Sequence, residues 1–164
     1  MIRVLVADDS EEWRDFICTL LSKDERFEIV GKAYDGSHAL QLAAETKPTV
    51  VLLDIRMPKV NGLEAARRIL AVQPQLQIVF VTGEDDHDIV VTAFEIGASG
   101  YVLKAHAGRS LMVAINEVLR GNKFASQDLL PPLKRDCRHQ EHHSQASHVA
   151  KKHPMRLSFA NIWN

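Results

Sequence analysis

The sequence predicts an α/β fold with a doubly wound, five-stranded parallel sheet and five helices. Strand and helix signals alternate up to about residue 120, which favours parallel strands joined by helical crossovers. The runs 2–7 and 49–53 are almost purely apolar, as is typical of strands buried on both faces of a parallel sheet. Carboxylates follow both runs, at the strand ends where open α/β sheets bind ligands.

The first half of the repeating pattern contains three strands and two helices. Ser10 can cap the first helix, because a serine hydroxyl accepts from the free N–H groups of a first turn. The apolar residues of this helix form one buried face at helical spacing: Trp13, Phe16, Ile17, Leu20 and Leu21. The predicted elements are strand 2–7, the helix after Ser10, a weaker strand 27–33, helix 36–46 and strand 49–54.

The second half contains two further strands and three helices. Asn61-Gly62 leads into the third helix, and Gly97 is a C-terminal stop signal for the fourth, since glycine readily adopts the left-handed conformation that ends helices. The run 85–88 is acidic and is predicted to cap the fourth helix. The predicted elements are helix 62–72, strand 77–82, helix 86–97, strand 100–104 and a fifth helix that ends at Gly121.

Polar side chains are predicted to meet at one edge of this sheet. The flavodoxin-like strand order 2-1-3-4-5 places strands 1 and 3 side by side, so Asp8, Asp9 and Asp54 fall on neighbouring strand ends, with Thr82 and Lys104 on the next two. Three close carboxylates repel one another unless a cation or protons neutralise them. Oxygen ligands suit Mg²⁺, and a carboxylate beside that ion is suited to attack phosphorus. The pattern therefore predicts phosphoryl transfer onto Asp54, with Thr82 and Lys104 binding phosphoryl oxygens.

Five separated motifs resemble the receiver domain of two-component response regulators, of the NarL/LuxR type. They are Asp8-Asp9, the run Asp54-Ile-Arg-Met-Pro58, Asn61-Gly62-Leu63-Glu64, Val81-Thr82-Gly83 and the run Gly97-Ala-Ser-Gly-Tyr-Val-Leu-Lys104. The resemblance covers about residues 2–121 and is specific, because the motifs occur in order at strand ends. Ala105-His106 depart from the family pattern, which usually has Pro, Ser or Asp after the lysine.

The resemblance implies a role for each matching residue. Asp54 would be the phosphoacceptor, Asp9 a direct Mg²⁺ ligand and Asp8 its partner through water, while Arg56 would lend its backbone carbonyl to the metal. Lys104 would pair with the phosphoryl group. Thr82 would be the switch hydroxyl and Tyr101 the aromatic that turns inward on activation. The resemblance implies a sensor histidine kinase or a phosphotransfer protein as the partner. It implies helix 4, strand 5 and helix 5 as the output face. A homodimer is compatible with the resemblance.

Arg56 and Glu84 flank the predicted site, two residues past Asp54 and Thr82. We predict that they pair and slow the attack of water on the acyl phosphate, although two solvated side chains are the simpler interpretation. Tyr101 is equally compatible with an ordinary core aromatic. His38, His87 and His106 are predicted to be surface residues.

Charge and composition change after about residue 121. Residues 1–120 carry 13 Lys and Arg against 18 Asp and Glu, whereas residues 121–164 carry 7 against 3 and five of the eight histidines. This predicts a receiver at 1–121 and a weakly basic, His-rich, largely disordered tail at 122–164. A metal site formed by Cys137, His139, His142 and His143 is a weaker alternative, because their spacing matches no zinc module. The apolar stretch 155–163 could instead dock on the receiver or a partner.

Several function classes are disfavoured. The sequence lacks a membrane-length apolar run and a signal-peptide pattern, so a cytoplasmic protein without membrane contact is expected, and two isolated cysteines fit a reducing compartment. The tail is short for a helix-turn-helix, which argues against DNA binding within this chain. The alternatives are a non-phosphorylated interaction module, a transcription regulator lacking its DNA-binding domain, and a small phosphohydrolase. The last is disfavoured because Asp54, which is followed by Ile55 and Arg56, lacks the Asp-x-Asp spacing of such enzymes, so no external turnover is expected.

Overall fold

The computed structural model describes residues 1–126 and 129. Its strands form one parallel sheet in the order β2-β1-β3-β4-β5-β6. The strands are β1 (Ile2–Ala7), β2 (Phe27–Ala33), β3 (Val50–Leu53), β4 (Gln77–Thr82), β5 (Gly100–Leu103) and β6 (Phe124–Ala125). The helices are α1 (Glu11–Leu21), α2 (Gly36–Thr46), α3 (Gly62–Val72), α4 (His87–Ile96) and α5 (Ala107–Leu119), with a 3-10 turn at Lys104–His106. The predicted order 2-1-3-4-5 is confirmed, and β6 extends it.

Alternation along the central strands divides the core into two layers. In β1, Leu5 and Ala7 belong to the layer under α2, α3 and α4, whereas Val4 and Val6 belong to the layer under α1 and α5. The central strands β3 and β4 are buried on both faces, because helices cover both sides of the sheet. The apolar runs of the sequence therefore form the centre of the fold, and the polar residues that follow them lie at the carboxyl edge of the sheet, which we call the rim.

Local capping fixes where the helices begin next to that rim. The side chain of Ser10 accepts from Trp13 N, and that of Asn61 accepts from Glu64 N at 2.9 Å. Asp86 caps α4 and Gly97 ends it at φ 112°, both as predicted. These caps pair backbone groups that would otherwise lack partners, so the loops that carry the polar residues are held at both ends.

Gly62 sets the approach of α3 to the end of β3. A Cβ at this position would collide with the backbone carbonyl of Asp54, and Gly62 N donates to Ile55 O at 2.8 Å. Only glycine allows such a close approach of two backbones. The residue therefore ties the beginning of α3 directly to the chain around Asp54.

The sheet contains one strand more than the five that the sequence predicts. β6 follows Gly121, where the predicted receiver ends, and pairs in parallel with β5. The predicted division of the chain at residue 121 stays a prediction, and so does the tail's character. The proposed Cys137, His139, His142 and His143 site and the 155–163 stretch lie outside the described residues. Across residues 1–126 and 129, no helix has the length and apolar character needed to cross a bilayer.

Candidate functional site

The predicted polar residues meet at the carboxyl edge of the sheet. Asp8 and Asp54 follow β1 and β3, which are neighbours, while Thr82 ends β4 and Lys104 follows β5. One carboxylate oxygen from each of Asp8, Asp9 and Asp54 lies within 4.8 Å of the other two. Asp8 and Asp54 are 1% and 4% exposed, whereas Asp9 faces solvent. The strand order thus assembles one acidic cluster from residues 46 positions apart.

Backbone groups orient the two buried carboxylates. Asp8 Oδ1 accepts from Ser10 N at 2.9 Å, and Asp54 Oδ1 accepts from Ile55 N at 2.7 Å. Both Oδ2 atoms are then directed toward the same cation, the ammonium of Lys104. The local turns after β1 and β3 therefore decide which oxygen of each aspartate remains available for a ligand.

Lys104 lies between the two buried aspartates. Its Nζ is 2.7 Å from Asp8 Oδ2 and donates to Asp54 Oδ2 at 3.0 Å. Burial alone would lower the pKa of Lys104, but the contacts with Asp8 and Asp54 outweigh it and the pKa is raised. The lysine is therefore a permanent positive charge at physiological pH. Its ammonium also lies 5.2 Å from the centroid of the Trp13 ring, which adds a cation–π contact.

Asp8 is held in an unfavourable environment for a charge. Burial raises its pKa, and the neighbouring charge of Asp54 adds to that effect, while Lys104 and the Ser10 N–H oppose it. Asp8 Oδ2 is buried, and its contact is the ion pair with the Lys104 ammonium at 2.7 Å. A buried carboxylate that retains unsatisfied capacity is a candidate ligand for a divalent cation.

The acidic cluster fits Mg²⁺. Mg²⁺ binds oxygens at about 2.0–2.1 Å and keeps several waters, so oxygens spread over 4.8 Å suit a mixture of direct and water-mediated contacts. The receiver domains that the sequence motifs resemble typically bind Mg²⁺ at an acidic pocket of this kind. Arg56 follows Asp54 by two residues, and the role of its backbone carbonyl stays a prediction.

Thr82 and Tyr101 lie on neighbouring strands, β4 and β5. Thr82 is buried, and its Oγ1 accepts from Glu84 N at 3.4 Å, which is a long contact for a hydrogen bond. Tyr101 is fully buried, donates its hydroxyl to Glu84 O at 2.9 Å, and has a raised pKa because of that burial. The ring thus points inward, and the backbone of Glu84 connects both side chains.

The predicted pair of Arg56 and Glu84 is present. Arg56 Nη2 donates to Glu84 Oε2 at 2.9 Å, and its Nε contacts the other carboxylate oxygen. The contact with Glu84 raises the pKa of Arg56. Because Glu84 is 16% exposed and Arg56 78% exposed, the pair forms an outer bridge between the loops after β3 and β4.

Two contacts of the site were not predicted. Trp13 was predicted to belong to the apolar face of α1 alone, yet its ring also contacts Lys104. Arg14, next to it, donates from Nη1 to Asp8 O at 2.7 Å. The only sequence signal was their position in the first turn of a helix that begins beside Asp8. The histidine prediction holds for exposed His87, whereas His38 and His106 are half-buried.

Comparisons with known proteins agree with this geometry. The response regulator receiver domain family matches residues 4–116. Response regulator GacA of Pseudomonas aeruginosa is 37% identical over 133 residues, which are 81% of this chain and 62% of that protein. Transcriptional regulatory protein DegU of Brevibacillus brevis is 33% identical over 75% of this chain and 52% of its own length. The chain thus spans about half to three-fifths of the curated relatives it matches.

Solved structures give the same result. A LuxR-family two-component response regulator from Aurantimonas sp. has a TM-score of 0.74 and 31% identity, over 77% of this chain and 91% of that one. The receiver domain of the NarL response regulator from Mycobacterium tuberculosis has a TM-score of 0.70 and 30% identity, over 74% and 98%. With the family match and the acidic cluster, these similarities establish that the chain belongs to the response regulator receiver domain family, among relatives of the LuxR/NarL type.

Proposed function

We propose that this receiver is switched by phosphorylation of Asp54, with Mg²⁺ as cofactor and a sensor histidine kinase or phosphotransfer protein as donor. The observation that carries the proposal is the convergence of Asp8, Asp9 and Asp54 with the Lys104 ammonium between two of the carboxylates. A cluster with a purely structural role would not require three acids around one cation, since one carboxylate would balance the charge of the lysine. The excess negative charge is suited to a second, divalent cation.

The proposed transfer uses groups already in place. A carboxylate oxygen of Asp54 attacks phosphorus, the bond from phosphorus to the donor's imidazole nitrogen breaks, and that nitrogen takes up a proton. The product is an acyl phosphate on Asp54. Lys104, at 3.0 Å from Asp54 Oδ2, would exchange its carboxylate contact for a phosphoryl oxygen. Mg²⁺ held by Asp8, Asp9 and Asp54 would neutralise charge on the transferring group.

The proposed switch follows from the same contacts. The long contact from Glu84 N to Thr82 Oγ1 is weak enough for the hydroxyl to turn toward a phosphoryl oxygen. Glu84 O holds the Tyr101 hydroxyl, so a shift of this loop would reach β5. We propose that α4, β5 and α5 re-pack in response, as a two-state element biased by new phosphate contacts.

Beryllofluoride, a mimic of the phosphoryl group, tests this function against a non-phosphorylated interaction module. Trp13 lies over Lys104, so its fluorescence reports directly on the site in a Trp163→Phe background, where it is the sole tryptophan. We expect a saturable change with beryllofluoride only when Mg²⁺ is present. No change in the presence of both would favour the interaction module, while steady hydrolysis of small phosphate esters would favour the phosphohydrolase.

A transcription regulator is the second candidate function, because the relative DegU is a transcriptional regulatory protein of about twice the length of the matched region. The proposed receiver chemistry is the same in both cases. DNA binding would then belong to sequence beyond the matched receiver.

The Arg56 and Glu84 pair is expected to slow dephosphorylation, since it bridges the loops beside Asp54 and would restrict the path of water to the acyl phosphate. In the Arg56→Ala/Glu84→Ala double variant the acyl phosphate should decay roughly two- to tenfold faster. The measurement is the loss of labelled phosphate after removal of the donor. Lys32→Ala/Asp15→Ala, which removes an exposed pair elsewhere, is the matched control. Equal lifetimes in the parent and the Arg56/Glu84 variant would reject the role.

A further inference from the structure

The chain after α5 returns to the sheet and pairs with the outer edge of β5. We call residues 122–126 the edge segment. Phe124 N donates to Ser99 O at 3.1 Å, and Ser126 N donates to Tyr101 O at 2.9 Å. These bonds give partners to carbonyl groups that an edge strand would otherwise leave to solvent. The edge segment thus supplies, from the same chain, a pairing partner for β5, the strand that carries Tyr101.

Ser126 completes this pairing with its side chain. Its hydroxyl accepts from Leu103 N at 3.0 Å, and the residue is 1% exposed. A backbone N–H buried without an acceptor costs about 1–3 kcal/mol, so this hydroxyl matters for the conformation at Leu103. Leu103 is the residue directly before Lys104, and a shift there moves the ammonium away from the two aspartates.

The edge segment also holds the turn between α4 and β5. Lys123 Nζ donates to Ala98 O at 2.9 Å and lies 5.6 Å from the centroid of the Phe94 ring. Ala98 belongs to the connection between α4 and β5. The segment therefore contacts three consecutive parts of the chain: the end of α4, the α4–β5 connection and the whole length of β5.

We infer that Ser126 is a positioning residue for Lys104, and that docking of the edge segment is coupled to phosphoryl binding at Asp54. The docked segment holds β5 so that Lys104 lies between Asp8 and Asp54 and Tyr101 stays inward. Coupling is reciprocal: whatever fills the phosphoryl site must strengthen docking of the segment. The phosphoryl part of this inference rests on the proposed function. The positioning of β5 rests on the hydrogen bonds alone.

The test compares variants of the full chain. Ser126→Ala removes the acceptor of the Leu103 N–H, and Ser126→Thr keeps a hydroxyl. Lys123→Met removes the second anchor and keeps an apolar stem. Asn122→Ala is the matched control, because the side chain of Asn122 donates its hydrogen bond to Glu117 on α5 and not to β5.

Amide hydrogen exchange and beryllofluoride affinity are the two readouts. In Ser126→Ala we expect exchange at Leu103 and Lys104 to accelerate about tenfold or more, and Mg²⁺-dependent beryllofluoride affinity to fall about three- to tenfold. Lys123→Met should change the exchange rate and the beryllofluoride affinity in the same directions. Ser126→Thr should stay closer to the parent than Ser126→Ala does in both measurements. In the parent, beryllofluoride should slow exchange at residues 124–126.

Accelerated exchange with unchanged beryllofluoride affinity in both Ser126→Ala and Lys123→Met would overturn the coupling. The edge segment would then only cover the edge of β5, without any effect on phosphoryl binding. If the parent binds no beryllofluoride, the proposed function fails instead. The positioning claim is then judged by exchange at Leu103 and Lys104: acceleration in Ser126→Ala supports it, and parent-like exchange overturns it.

Discussion

Lys104→Met is expected to abolish most of the phosphoryl response of this receiver. Beryllofluoride affinity should fall about 100-fold, by analogy with the loss on removing one preorganised donor from a site that stabilises negative charge. The protein should also lose about 1–3 kcal/mol of stability, because Asp8 and Asp54 are buried and would face each other without their shared cation. Titration with beryllofluoride and denaturant unfolding measure the two effects.

Lys23→Met provides the control for Lys104→Met. Lys23 is exposed in the turn between α1 and β2, so its loss changes net charge equally without touching the site. Parent-like beryllofluoride affinity in Lys104→Met would show that the lysine only balances the acids and takes no part in phosphoryl binding.

Asp8→Asn is expected to stabilise the protein without Mg²⁺ and to remove most of its response to Mg²⁺. Because burial raises the pKa of Asp8 above 3.8, the folded state binds the proton more tightly than the unfolded chain does. Ionised Asp8 therefore opposes folding above its folded pKa. A neutral amide removes that penalty and also a ligand of the proposed Mg²⁺ site.

Thermal unfolding with and without Mg²⁺ checks both parts. The parent should gain about 2.7 kcal/mol at a Mg²⁺ concentration 100 times the dissociation constant, and Asp8→Asn much less. Without metal, the extra stability of Asp8→Asn over the parent should shrink as the pH falls, because Asp8 of the folded parent becomes protonated below its raised pKa. The difference should be lost toward pH 3.8, the ordinary pKa of aspartate. Glu25→Gln, at an exposed position, is the charge control. If Asp8→Asn were less stable than the parent at neutral pH without Mg²⁺, ionised Asp8 would not oppose folding.

The features predictable from the sequence are those set by local rules. The apolar runs of β1 and β3 could be recognised because both faces of these strands are buried. Ser10 and Gly97 marked helix ends through capping chemistry that acts within a few residues. Once the strand order was assumed, the meeting of Asp8 with Asp54 followed, because parallel neighbours end at the same rim.

The features that escaped prediction depend on packing between distant segments. β6 has only two residues, too few for any periodic signal, and it forms because β5 offers an unpaired edge. The contact of Trp13 with Lys104 joins residues 91 positions apart, and an apolar helix face gives no sign of it. Ser126 has no signal at all, since one serine after a helix is typical of any loop.

Labelling with a small-molecule phosphodonor is the most direct test of the acidic site. Acetyl phosphate should label the parent only with Mg²⁺, to a level approaching one base-labile, hydroxylamine-sensitive phosphate per chain, and Asp54→Asn should stay unlabelled although it folds. Two results would contradict phosphoryl transfer to Asp54 at a metal-dependent site: labelling of Asp54→Asn equal to that of the parent, or labelling of the parent that is unchanged when Mg²⁺ is removed by a chelator.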